Sequence, residues 1–455
     1  MRVRVLSRSL ALASGAVLLS GQASAHVGAL RGGGGSSSIP FWLIVITGGG
    51  IIAASFLLAS LVTDRETIHA INDRALRLPS VRARSGVRVG RAIGVLGLVG
   101  ILVVGVVGPT EPTRNAAVLL VWVGWWAGYT ITVYSLGNTW PILNPWRALA
   151  TAVPQFDRAY PDSWGAWPSV VGLLALVWIE LVTSVADDPR SLVLVVAGYT
   201  VVTLVGAAVY GSDTWFDRVD PIERVFRIYG LLAPIQRTDH GLELRLPGAA
   251  LTDRTRSLDA SETAFIIALL WVTTSDGLVA TETWATVAGA VVAVGMPPLL
   301  LYLLVHLAGF GLFVGVYWLA ARLSRRYATT YVSAPFISGW FAAALVPIAA
   351  AYHLAHFLEY FLTLSPTLLV ALTTVSPPQF PTLLVVPDWF GAVQLAFVLL
   401  GHLIAIWISH AASFDLFTGR LQPIRSQYPF IVVMVFYTMS SMWIIAQPYV
   451  EPPYL

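Results

Sequence analysis

Ala351-Tyr352-His353-Leu354-Ala355-His356-Phe357-Leu358-Glu359-Tyr360 is the stretch whose reading decides the fold. Side chains three and four apart stack on one face of a helix, so His353, His356 and Glu359 or Tyr360 form a polar strip. The run around them, 336–362, is otherwise almost wholly apolar and exceeds the roughly 20 residues needed to cross a bilayer. Ionisable groups at that depth are costly, and they face a bundle interior, a cavity or a cofactor rather than lipid.

The rest of the chain agrees with a membrane setting. Of 455 residues, 56% are hydrophobic and only 11% charged, which is too apolar for a soluble chain of this length. Tryptophan and tyrosine number 17 and 16, as interfacial aromatic belts require. There is no cysteine, which excludes disulfides, thiolate metal sites and cysteine nucleophiles. Every one of the 27 basic residues is arginine, so lysine chemistry is excluded as well. The net charge of +3 is spread over short loops and is no nucleic-acid signal.

The expected fold class is all-α, a polytopic transmembrane helix bundle of about ten spans after an N-terminal signal peptide. Residues 1–25 read as that signal: Arg2, Arg4 and Arg8, then an apolar core from Leu10 to Leu19, then the small residues Ala23-Ser24-Ala25. Cleavage there would leave His26 as an extracytoplasmic N-terminus, where an amine beside an imidazole can chelate copper. Residues 26–40 form a Gly/Ser-rich tether. Spans 1–5 fall within 41–210, a cytoplasmic loop with an amphipathic helix near Pro221 within 211–260, spans 6–10 within 261–447, and a short tail at 448–455. Gly241 to Leu246 could form a short strand. The sixth span, Glu262 to Ala280, is weak in hydropathy and holds Asp276, which could cap a break at Gly277. Met296-Pro297-Pro298 should separate an oblique piece, Thr283 to Gly295, from the seventh span. A proline-rich outer stretch, re-entrant or interfacial, is expected from Ser365 to Asp388. With His26 outside, the inner loops hold 21 arginines, while the outer segments hold only Arg31, Arg114 and Arg190. That bias supports a multi-pass protein of the cell membrane with its mature N-terminus outside.

This layout sets the depth of the candidate site residues. Glu180, Asp276, His353, His356 and Glu359 fall toward the outer half, His306 and His402 nearer the middle, and His410 at the inner edge. His353 and His356, one turn apart, could share a metal with Glu359, and His306 and His402 could add ligands for copper or haem. The same groups, with Glu180 and Asp276, could instead relay protons or coordinate an ion in a transporter, or simply hydrogen-bond between helices. His402 and His410 lie about 12 Å apart along the axis and cannot share one ion. No H-E-x-x-H or G-x-S-x-G is present, so no reaction is assigned. A third reading is a non-catalytic subunit whose rigid inner turn, 137–147, docks another membrane subunit. In every reading the lipid bilayer is the surrounding partner, and no nucleic acid is involved.

The stretch Leu136-Gly137-Asn138-Thr139-Trp140-Pro141-Ile142-Leu143-Asn144-Pro145-Trp146-Arg147-Ala148-Leu149, together with Ala351-Tyr352-His353-x-Ala355-His356-Phe357 and Gly401-His402 followed by His410, resembles a family of uncharacterised polytopic membrane proteins of haloarchaea and actinobacteria, often labelled "fenitrothion hydrolase". The resemblance spans most of the chain. It implies a signal-like N-terminus ending in Ala25-His26, and the label implies hydrolysis of an organophosphate ester. Actinobacterial members follow Ala-His with a Gly-rich, Asp-containing stretch; here Arg31 to Ser38 has the glycines without the aspartate.

Overall fold

The computed structural model describes residues 41–79, 84–156, 158–253, 255–374, 376–387, 389–447 and 450–454. The expected signal peptide, His26 and the tether lie outside these residues. Among them, eight helices are long and apolar enough to cross a membrane. They are α3 (Arg84–Val107, apolar from Gly86), α4 (Ala116–Ser135), α8 (Pro189–Tyr210), α10 (Ala260–Val279), α12 (Pro298–Tyr327), α13 (Ala334–Thr373), α14 (Phe390–Leu416) and α15 (Leu421–Ile445). Two further apolar helices, α1 (Phe41–Ala59) and α7 (Trp167–Val182), stand at the remaining places where spans are expected. The chain is an integral, multi-pass membrane protein built as an α-helical bundle.

The connecting segments gather at two ends. At one end α2 (Arg65–Asn72) is followed by β1 (Ala75–Leu78), which pairs antiparallel with β3 (Gly241–Arg245); β2 (Ile235–Thr238) pairs with the other edge of β3. The predicted short strand at Gly241 thus belongs to a three-stranded sheet, and one partner, β1, comes from the segment just after α2. At the same end Arg65 donates to the Phe417 carbonyl, and Gln422 Nε2 donates to the Ala328 carbonyl at 2.9 Å. At the other end Arg114 donates to the Pro377 carbonyl, and the Val450 amide to the Ala280 carbonyl at 2.9 Å. These two groupings match the alternation expected from successive crossings.

The centre of the bundle is α10. A capping box starts it: Asp259 accepts from the Ser261 and Glu262 amides, and Glu262 accepts from the Asp259 amide. It packs against α7, α12, α13 and α15, and 83% of its apolar window is buried. The weakest span in hydropathy is therefore the innermost. Thr273 and Thr274 return their hydroxyls to the backbone one turn earlier, so they need no water. α3, by contrast, is only 17% buried and presents its side chains outward. No break occurs at Gly277, and α10 runs through it to Val279.

Two prolines shape the neighbouring helices. Pro347 lacks the amide that would continue the hydrogen-bond ladder, and just before it α13 tightens into a 3-10 turn over Ala342–Leu345. Pro366 does not end that helix. α13 continues to Thr373, past Ser365, where a proline-rich re-entrant or interfacial stretch was expected to begin. The helix α11 (Glu282–Ala293) is separate from α12, and Gly295 between them adopts φ +98°.

The turn 137–147, expected to dock another subunit, packs much of its surface into the bundle. It forms α5 (Trp140–Leu143) and α6 (Pro145–Ala150), and Trp140, Asn144 and Trp146 are all buried. Asn144 accepts from the Arg147 amide at 3.0 Å and donates Nδ2 to Glu223 at 2.8 Å. Glu223 belongs to α9 (Pro221–Gly230), the expected amphipathic helix. That helix is buried rather than superficial: Phe226 and Tyr229 are fully enclosed, and Trp140 packs on Phe226 with ring centroids 4.9 Å apart. Both tryptophans of the turn, Trp140 and Trp146, pack inside the molecule.

Candidate functional site

Residues of α3 to α10 and of α13 wall a cavity of about 460 Å³ on one side of α10. The α4 wall is a π-helical run, Leu120–Tyr129, and it sets Trp122, Trp125, Trp126 and Tyr129 toward the cavity. Runs of i→i+5 bonding are rare and concentrate at functional sites. Almost every other lining group is aliphatic or aromatic, and the two exceptions with charge are Glu180 from α7 and Asp276 from α10.

Asp276 is held by His356 of α13, whose Nε2 lies 3.0 Å from Oδ2. The close approach of α10 to α13 needs Gly277. A Cβ there would stand 2.5 Å from the Tyr352 hydroxyl and 2.6 Å from Ile444. The pair is enclosed but not sealed, with side-chain exposures of 12% for His356 and 22% for Asp276. Glu180 is within electrostatic range of both Asp276 and Asp187. Two carboxylates from two helices thus line an otherwise apolar chamber, and His356 holds one of them from α13.

The other sequence-selected groups have separate surroundings. His353 is fully buried behind the chamber wall; its Nδ1 lies 3.3 Å from the Tyr134 hydroxyl, and Trp126 meets its ring edge-on at 5.4 Å. Glu359 accepts from Gln394 of α14 at 3.0 Å. His402 donates Nδ1–H to the Val398 carbonyl of its own helix at 2.8 Å. His410 donates Nε2–H to the Val62 carbonyl at 2.8 Å and accepts from Gln427 at 3.3 Å, which ties α14 to the end of α1. His306 is buried on α12 beside a void of about 10 Å³ lined by Trp271, Ser275 and Tyr302.

Among the described residues, no three His, Cys, Asp or Glu side chains come together as a metal site would require. The expectation that His353, His356 and Glu359 share a metal meets a simple obstacle: His356 turns to Asp276, Glu359 to Gln394, and His353 to Tyr134. Likewise His402 and His410 are engaged by backbone carbonyls. The spacing located the helix face, but the partners come from neighbouring helices that spacing does not identify. The aromatic wall was the part least visible in sequence. Its one signal was the cluster Trp122, Trp125 and Trp126 with Gly124 and Gly128, which reads equally well as an interfacial belt.

No family model, no curated protein and no solved structure matches this chain.

Proposed function

We propose that this protein binds a small, mostly apolar molecule carrying a positive charge and exchanges it for protons across the cell membrane. One observation carries the reading: among the described residues, Glu180 and Asp276 are the only acidic groups on the wall of an otherwise apolar, aromatic chamber, and His356 pairs with one of them. Carboxylates buried in a bundle need a counter-charge. Aromatic faces stabilise a desolvated organic cation by about 2 kcal/mol when water is excluded. A cation arriving at Asp276 competes with His356 for the same carboxylate, so its binding would free a proton held between that pair. The metal or haem alternative draws less support, since the imidazoles are divided among separate hydrogen-bond partners.

The same reading takes the arginine-rich end as cytoplasmic, the mature N-terminus as external, and 1–25 as a signal sequence. Membership in the haloarchaeal and actinobacterial family is proposed on residues 136–149, 351–357, 401–402 and 410 alone.

The test is transport in proteoliposomes. Wild-type protein should drive uptake of tetraphenylphosphonium or a comparable lipophilic amine when a pH gradient is imposed, and Glu180→Gln with Asp276→Asn should abolish it. Uptake unaffected by the gradient, or equal in the double variant, would defeat the reading.

A further inference from the structure

A second hollow lies at the arginine-rich end and shares no lining residue with the chamber. It has a volume of about 750 Å³ and is formed where α12 ends and α13 begins. Arg322, Arg325 and Arg326 line it with Trp318, Thr329 and Ser333, and none of its lining residues is acidic. All three arginines are exposed, and none forms an ion pair among the described residues. Arg322 stacks on Trp318 with its guanidinium carbon 3.5 Å from the ring centre. The preceding turns of α12 expose Leu307, Leu312 and Leu319, so the hollow adjoins a lipid-facing surface. Trp318 sits one turn toward the apolar side of the first arginine, as an interfacial tryptophan does.

Backbone geometry supplies an independent observation. α12 ends in a Schellman pair, with the Thr330 amide on the Arg325 carbonyl at 3.4 Å and the Thr329 amide on the Arg326 carbonyl at 3.2 Å. That closure puts Thr329 at φ +49°. Glycine fits such a position freely, whereas a β-branched threonine there is a genuine outlier. A strained residue in a basic hollow points to a role for its side chain. Thr329 lines the hollow together with the three arginines.

We propose that this hollow binds the phosphate headgroup of an anionic phospholipid. Two or more guanidinium groups without acidic partners suit a phosphate, to which arginine donates paired hydrogen bonds. The hydroxyl of Thr329 supplies a further donor. The adjoining leucine-rich face of α12 accepts the acyl chains, which is why lipid rather than a water-soluble phosphate is the ligand. Basic pockets beside transmembrane helices on the inner side are the expected place for such headgroups.

The full-length protein is reconstituted in nanodiscs of phosphatidylcholine with a minor fraction of phosphatidylglycerol, and retained lipid is counted by native mass spectrometry. A parallel arm offers inorganic phosphate to protein in phosphatidylcholine alone. Wild type should retain phosphatidylglycerol selectively. Arg325→Gln with Arg326→Gln should lose about thirty-fold in that retention, the effect of two interfacial arginines. Thr329→Gly should keep the fold, relieve the strained backbone and still weaken retention. Arg325→Lys with Arg326→Lys should recover part of it. Equal retention in wild type and the glutamine variant would overturn the proposal, as would tight inorganic phosphate binding without lipid selectivity.

Discussion

Asp276→Asn is the sharpest single change to the chamber. Asparagine keeps the shape of the side chain and its capacity to accept a hydrogen bond, and removes only the charge. A cation about 4 Å from a carboxylate gains about 4 kcal/mol at an effective dielectric near 20. Part of that gain is offset, because the cation loses water on entry. A hydrogen bond to a charged group is worth about 1.5–3 kcal/mol net, so the dissociation constant should rise by about ten- to a hundred-fold. The readout is built in, because Trp122, Trp125 and Trp126 line the chamber and their fluorescence responds to a bound aromatic cation. Titration of wild type with tetraphenylphosphonium in detergent should quench that fluorescence saturably. Glu359→Gln is the matched control. It neutralises another intramembrane carboxylate that is held by Gln394 and does not line the chamber, and it should leave affinity within about twofold. If Asp276→Asn binds as tightly as wild type, or if a neutral analogue of similar size binds equally well, electrostatic recognition by this wall is refuted.

Three further outcomes follow from the packing. Gly277→Ala forces a methyl group into the Tyr352 hydroxyl and Ile444; it should cost about 1–3 kcal/mol of stability, measured by thermal unfolding in detergent, and Tyr352→Phe should restore part of the loss. Burial pushes the Asp220 carboxyl up to about 6 from an ordinary 3.8, although Tyr199 and the Glu223 amide both donate to it. The folded state therefore holds this proton more tightly than the unfolded chain. Stability should rise by about 3 kcal/mol as pH falls from about 6 to about 4, and Asp220→Asn should flatten that part of the curve. Asn144→Ala removes both the cap on α6 and a donor to buried Glu223; the expected loss of about 2–4 kcal/mol would be absent if the inner turn were an exposed docking site.

The membrane class and most helix positions were legible because lipid imposes one rule on every span: backbone polar groups must be satisfied within it. Hydropathy reads that rule directly. It misleads for α10, whose threonines and serines lower the apolar signal while burial in protein removes any need for lipid compatibility. The strand Ala75–Leu78 was hidden for another reason. Its partner is Gly241–Arg245, more than 160 residues away, and no local pattern announces such a pairing. The candidate site was half legible. Asp276, Glu180 and His356 could each be picked out as charges too deep to be casual. Their meeting depends on Gly277 admitting α13 to α10 and on the π-helical run that turns three tryptophans to one wall. Those are properties of helix contact, and a single helix face does not contain them.

Proton release on cation binding tests the central claim most directly. Purified protein in weakly buffered detergent near neutral pH is titrated with tetraphenylphosphonium while a pH indicator is followed. Coupling through His356 and Asp276 should release up to about one proton per cation bound, with release abolished in His356→Gln even where binding persists. Saturable binding with no proton released by the wild type at any pH between about 5 and 8, the range in which an imidazole changes charge, would contradict it.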